Sequence, residues 1–211
     1  NASTVTVSSF YLGDDGAQRE EKQTALALFH PFPYVTRGIY TSRLNFDKSG
    51  RWGIEARFQD DDGAARNVEL YFEVADATSA PALGDPAVRS QSKTMTDVER
   101  LTQISTGTSQ DPDLYQLTIA EAAESGLPTV IVMASPAFCT NAVCGPQVEV
   151  LQRLKDEFKD QANFIHVDFY DNPEEIQGDL DRAALSPTVL EWNLPSSEWS
   201  FVIDGNGTVA A

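Results

Sequence analysis

Two cysteines and two histidines are all that the 211 residues hold, which is too few for a disulfide-rich scaffold. Long apolar runs are missing as well. The longest, such as Thr129 to Ala134, stop far short of the ~20 residues that cross a bilayer as a helix. Basic residues are scarce beside acidic ones, 15 against 32, so the formal net charge is −17. The deficit is uneven: residues 1–75 carry 8 basic and 11 acidic groups and residues 76–211 carry 7 and 21, leaving the latter at −14. A field of that sign repels phosphate backbones and anionic headgroups and argues against nucleic acid as a partner. No Ser-His-Asp set, pair of glycosidase carboxylates or phosphate-cradling glycine loop can be assembled, and there is no internal repeat.

What is present is a core. Hydrophobic residues make up 41% of the chain, with 3 Trp, 6 Tyr and 11 Phe, and the length suits one large domain or two of about 100 residues. From Thr4 to Val74 the pattern has period two. It predicts strands at Val5 to Leu12, Thr24 to Phe29, Gly38 to Asn45, Trp52 to Gln59 and Asn67 to Val74, with turns at Asp14-Asp15-Gly16, Asp47-Lys48-Ser49-Gly50 and Asp60-Asp61-Asp62-Gly63. Short strands without helices predict a small antiparallel sandwich over residues 1–75. Residues 76–113, with Pro81, Pro86 and Pro112, show no apolar period and read as a linker or as a segment draped over a neighbour through anchors such as Val88, Met95 and Leu101.

After Leu114 helix and strand alternate. Thr118 with Glu121 is a capping-box pattern opening a helix to Ser125, and Thr129 to Ala134 reads as a buried strand. Pro146 suits a helix first turn, with Val148, Leu151, Leu154 and Phe158 on its apolar face. Phe164 to Phe169 reads as a strand, Pro173 to Leu180 as a short acidic helix, Thr188 to Trp192 as an extra strand and Ser200 to Asp204 as the last one.

The cysteines, Cys139 and Cys144, have four residues between them and lie between a buried strand and a Pro-started helix. A thiolate at a helix N-terminus gains from free N–H groups and the positive end of the helix dipole. Here residues 114–211 resemble the thioredoxin-like superfamily, in a CX4C variant. The resemblance is carried by the strand Thr129 to Ala134, Ser135-Pro136-Ala137-Phe138, the cysteines, the helix, and Phe201-Val202-Ile203-Asp204-Gly205-Asn206-Gly207. It implies an α/β domain whose closing strand and helix would lie beyond Val209, and a redox dithiol with Cys139 as nucleophile and Cys144 as resolving cysteine. It also implies a substrate groove beside a cis-proline, for which Pro195, Glu198 and Trp199 are the candidates; by count Glu198 falls at the proline's position, and Pro195 is the nearest proline. The front half resembles immunoglobulin-like modules of exported bacterial proteins through Phe46-Asp47-Lys48-Ser49-Gly50-Arg51-Trp52-Gly53-Ile54.

The expectation is thus a two-domain protein, an immunoglobulin-like β-sandwich before a thioredoxin-like domain, acting as a thiol-disulfide oxidoreductase on protein thiols or disulfides. The alternative is a non-catalytic extracytoplasmic binding module with a structural Cys139–Cys144 disulfide. No cofactor and no metal are expected: thiolates suit Cu(I) or Zn, but neither His30 nor His166 stands as a third ligand, and His166 reads as a satisfied core or sheet-edge residue. Trp52, Trp192 and Trp199 read first as core. Asp60-Asp61-Asp62-Gly63 lacks the closing Glu of a calcium loop. The opening Asn1-Ala2-Ser3 reads as a boundary rather than a native start, with an extracytoplasmic location, periplasmic or cell-surface, and an anchor in a segment outside this sequence as the expectation.

Overall fold

A computed structural model of the chain describes residues 4–13, 16, 18–31, 38–138 and 143–211. The opening three residues, Asp14 and Asp15 of the first expected turn, and Cys139 lie outside the described residues. The chain divides into two compact units, Asn1–Ala77 and Thr78–Ala211.

In the first unit β1 (Val5–Gly13), β2 (Glu20–Pro31), β3 (Gly38–Thr41), β4 (Gly50–Gln59) and β5 (Ala65–Val74) form one antiparallel sheet in the order β3-β2-β1-β4-β5. The first unit is thus all-β, as expected, and its described residues form one sheet. Period two specifies that each strand has an apolar side; it does not say what covers that side.

The register separates two chemistries. On one face Glu55 accepts hydrogen bonds from Arg57 (Nε 2.9 Å, Nη2 2.8 Å), Arg19 (3.1 Å) and Asn67 (3.3 Å), and Arg57 above all holds its carboxyl below the usual range. Phe10 lies on this face too, across Gly53, where a Cβ would stand 2.3 Å from the ring, and the Arg19 guanidinium caps it 3.7 Å from the centroid. The opposite face is apolar. At one end of it Trp52, fully buried, packs edge-on against Tyr11 and Phe46 (5.4 and 5.0 Å between centroids) and donates from Nε1 to Lys48 O at 3.0 Å. Gln23 fastens the covering loop by accepting from Asn45 N at 3.0 Å.

The second unit is built on β6 (Thr129–Ala134), which pairs in parallel with β7 (Asn163–Val167) and antiparallel with β8 (Glu198–Ile203), in the order β7-β6-β8. Because side chains alternate along β6, it feeds two cores. Ile131 and Met133, with Ile165, Phe201 and Ile203, pack against Ile119 and Ala122 of α1 (Ile119–Glu124), Val189 of α4 (Pro187–Glu191) and Trp192. Val132 and Ala134, with Phe164, pack against Val148 and Leu151 of α2 (Cys144–Phe158), Ile104 and the 3-10 turn Pro112–Tyr115. The result is a mixed sheet with helices on both faces.

Local signals act as their chemistry dictates. Thr118 Oγ1 accepts from Glu121 N (3.0 Å) while the Glu121 carboxylate accepts from Thr118 N (2.8 Å), closing the capping box of α1. The short helix α3 (Pro173–Ile176) ends where Gln177 turns left-handed, φ 48°, well before Leu180. The strand expected at Thr188 to Trp192 is instead α4: Pro187 in its first turn presets the helical φ, and this outweighs the β propensity of Thr188 and Val189. From Thr78 the proline-rich stretch runs over the second unit. Ala87 N donates to Gly207 O, Val209 N to Asp85 O, and the Ser92 hydroxyl accepts from Ile119 N at the start of α1.

Residues 75–79 are exposed, whereas Ala80, Ala87, Ser90 and Ser92 are buried. Brief digestion with a broad-specificity protease is therefore expected to cut first within 75–79 and to release fragments matching the two units. A first cut within 86–94 would contradict this assignment of the stretch.

Candidate functional site

The strand-to-helix corner after β6 holds the first candidate. Cys144 is the first residue of α2 and has no exposed surface; its sulfur is engaged in a disulfide. Val143 supplies no side-chain cap to the helix. In register Glu198 stands opposite Ala134, and its Oε1 lies 3.0 Å from Cys144 Sγ. Two residues on, Ser200 Oγ accepts from Gln147 Nε2 at 2.6 Å, so Glu198 and Ser200 both face α2.

Trp199, between them in the strand, points to the other side. It stacks on Phe201 (5.7 Å, 10° between planes), packs against the α1/α4 core and donates from Nε1 to Ser196 Oγ at 3.0 Å. Pro195 is exposed in the loop before β8, and the described residues contain no cis peptide bond. Of the three groove candidates, only Glu198 is brought to a cysteine.

These placements overturn the redox reading. Thiol-disulfide exchange needs a sulfur that an incoming thiolate can reach, and a dithiol whose leaving thiolate is stabilised. Cys139 lies outside the described residues, so no dithiol centre is assembled among them. Cys144 offers a fully covered sulfur beside a carboxylate. Neither an oxidoreductase site nor a docking site for substrate thiols or disulfides is present among the described residues.

The second candidate is a buried polar centre that the sequence shows only through His166. Its ring is 1% exposed. Its Nε2 lies 3.0 Å from Ala134 O, which can only accept, so this nitrogen carries the proton; Nδ1 then accepts from the Tyr115 hydroxyl at 2.6 Å. Both nitrogens are satisfied by the neutral ring, and burial pushes the imidazole below its usual value. Burial raises Tyr115 as well. Nearby, Asp168 is 3% exposed; it accepts from Thr106 N and Oγ1 (2.7 Å each) and from Tyr170 N (3.1 Å), yet burial still pushes its carboxyl upward. Thr106 Oγ1 lies 3.0 Å from Ser135 Oγ, tying the centre to the end of β6.

A cavity of about 210 Å³ adjoins this centre, lined by Lys93, Asp168, Tyr170 and Ser186 among others. Lys93 is held by Asp171, its Nζ 2.8 Å from Oδ1. The arrangement is that of a satisfied network, with no nucleophile–base pair and, among the described residues, no cluster of three metal-capable side chains. Sequence reasoning missed Tyr115, Thr106 and Asp168. The available signal was polar residues closing apolar strands, Ser135 after β6 and Asp168 after β7.

Comparison with protein-family models, curated proteins and solved structures finds no match for this chain, so the resemblance to the thioredoxin-like superfamily rests on no relative and is withdrawn together with the redox role.

The lowered His166 value has a consequence for stability. The unfolded chain takes up a proton near pH 6.5 while the folded ring stays neutral, so stability is full above that value and falls as pH drops through it. The raised Asp168 works in the opposite sense, returning stability once pH reaches its folded value. The second unit is expected to lose up to about 1.4 kcal/mol per pH unit below about 6.5, with a steeper loss in Asp168→Asn. Ring ¹⁵N shifts should report a predominantly neutral Nε2–H imidazole in folded protein at pH 6.5, where an ordinary histidine is half protonated. A ring half protonated or more at that pH would contradict the network.

Proposed function

We propose that this chain is a non-catalytic extracytoplasmic binding module whose α/β unit is fastened by a structural Cys139–Cys144 disulfide. The observation that supports it is the fully buried, disulfide-engaged sulfur of Cys144 at the start of α2. A covalent link there fixes the chain where it turns from β6 into α2. Closing so short a loop stabilises by about 2 kcal/mol in the chain-entropy account. Glu198 beside the sulfur, in a region carrying −14, repels an attacking thiolate, which suits a bond that is kept rather than exchanged.

Structural disulfides persist in oxidising compartments, which supports a periplasmic or cell-surface location. In this reading the five-stranded sheet is one layer of a sandwich, and the second unit is a three-layer α/β domain. Binding is the remaining role, because neither unit gathers a reacting constellation among its described residues.

The test is exchange chemistry set beside stability. The double substitution Cys139→Ser/Cys144→Ser is expected to lower the unfolding free energy of the second unit by about 2 kcal/mol. The wild type is expected to neither reduce insulin nor oxidise a reduced model protein above the uncatalysed rate. Glu198→Gln is expected to speed reduction by dithiothreitol several-fold, since it removes the repelling charge at nearly constant shape. Turnover with a protein disulfide, or a double variant as stable as the wild type, would overturn the proposal.

A further inference from the structure

The cavity beside the His166 centre is lined by two hydroxyl side chains that the network leaves out. Ser186 and Thr188 are 7% and 4% exposed, yet among the described residues neither side chain makes a hydrogen bond. Ser186 stands at the N-cap of α4, where serine ordinarily accepts from a backbone N–H, and it caps nothing. Hydroxyls in so buried a place are costly unless something within the cavity partners them. The charges around the cavity, by contrast, are already matched. Lys93 Nζ lies 2.8 Å from Asp171 Oδ1, Asp168 accepts from Thr106 N, Thr106 Oγ1 and Tyr170 N, and both nitrogens of the neutral His166 ring are bonded. A charged ligand would therefore meet no free counter-charge to offset its desolvation.

We infer that this cavity binds one neutral sugar ring, with adjacent ligand hydroxyls bonded to Ser186 and Thr188. Ligand hydroxyls suit these partners because a hydroxyl both donates and accepts, so the two pairs can be satisfied in either direction. Ile104, Val167 and Pro187 supply an apolar wall for the C–H face of the ring. Exposed Gln91 and Lys93 line the same cavity as buried Asp168, so it is reached from the surface. Its volume of about 210 Å³ is room for about seven waters at ~30 Å³ each, the scale of a single sugar ring and too little for a peptide or a nucleotide. The −14 carried by residues 76–211 disfavours acidic sugars. The inference rests on the binding-module reading, to which it adds a site and a ligand class.

Titration of the ¹⁵N-labelled full chain with the methyl pyranosides of glucose, galactose and mannose, each to about 50 mM, tests this. At least one is expected to saturate, moving the amide signals of Asp168, Tyr170, Ser186 and Thr188. Cyclohexanol, a ring of similar size without adjacent hydroxyls, and the anion glucuronate should each bind at least tenfold more weakly. Ser186→Ala and Thr188→Val should each weaken the sugar at least threefold; the first removes a hydroxyl that caps nothing, so α4 keeps its bonds. Absence of saturation with all three sugars, cyclohexanol or glucuronate binding as tightly, or binding indifferent to both substitutions would each overturn the site. Should either variant fail to fold, the ligand comparisons on the wild type decide alone. The module reading fails by a different result, turnover with a protein disulfide, which this titration does not register.

Discussion

A β-sheet has two faces, and each apolar face needs a layer to cover it; most of this structure follows from how that requirement is met. Along β6 successive residues point to opposite sides, and both sides are buried: Ile131 and Met133 have no exposed surface, and Val132 retains 3%. Such a strand requires cover above and below, which is why α2 lies on one face and α1 and α4 on the other. It also explains the route of residues 78–115. That stretch is poor in regular structure yet contributes Ala80 and Ala87 to one core and Ile104, Leu114 and Tyr115 to the other. In the first unit one face carries the Glu55 ion pairs together with exposed Leu26 and Leu28, and the other carries buried Tyr11 and Trp52 at one end and exposed Val68 and Leu70 on β5.

Two polar features survive inside the second unit because each is fully partnered. His166 takes the strand position next to Val167 without a charge, since a carbonyl and a phenol satisfy its nitrogens. Asp168 is held by backbone and hydroxyl donors rather than by a cation. Buried polar groups arranged in this way specify which loop sits against which strand, and here Thr106 is the residue that makes the connection between its own loop, Ser135 and Asp168.

Much of the secondary structure was legible because it is locally encoded. The run Thr129 to Ala134 coincides with β6, and Thr118 with Glu121 predicted the cap of α1. The five front strands were readable from alternation, to within a few residues at their ends. What was not legible is anything set by the far side of a contact. Alternation over Val5 to Leu12 is the same whether a second sheet of the same chain covers it or not. Thr188 to Trp192 has strand-like composition, and only Pro187, placed in a first turn, reveals a helix. His166 was readable as a satisfied residue, but its partner Tyr115 is 51 positions away and carries no local mark.

The misreading of the cysteines has the same origin and turns on access rather than charge. A helix N-terminus favours a thiolate by up to about 2 kcal/mol, and that much can be inferred from a Pro-started helix following a strand. Reactivity also requires that the sulfur be reachable, and no sequence pattern reports whether a strand some fifty residues later will close over it. Here β8 does so, pairing with β6 in a register that sets Glu198 opposite Ala134 and its carboxylate against Cys144. The favourable dipole then acts on an atom with no exposed surface, beside a charge of the sign that a thiolate would carry. Under those conditions stability belongs to the oxidised, linked form, and the position that would suit a nucleophile suits a fastening instead.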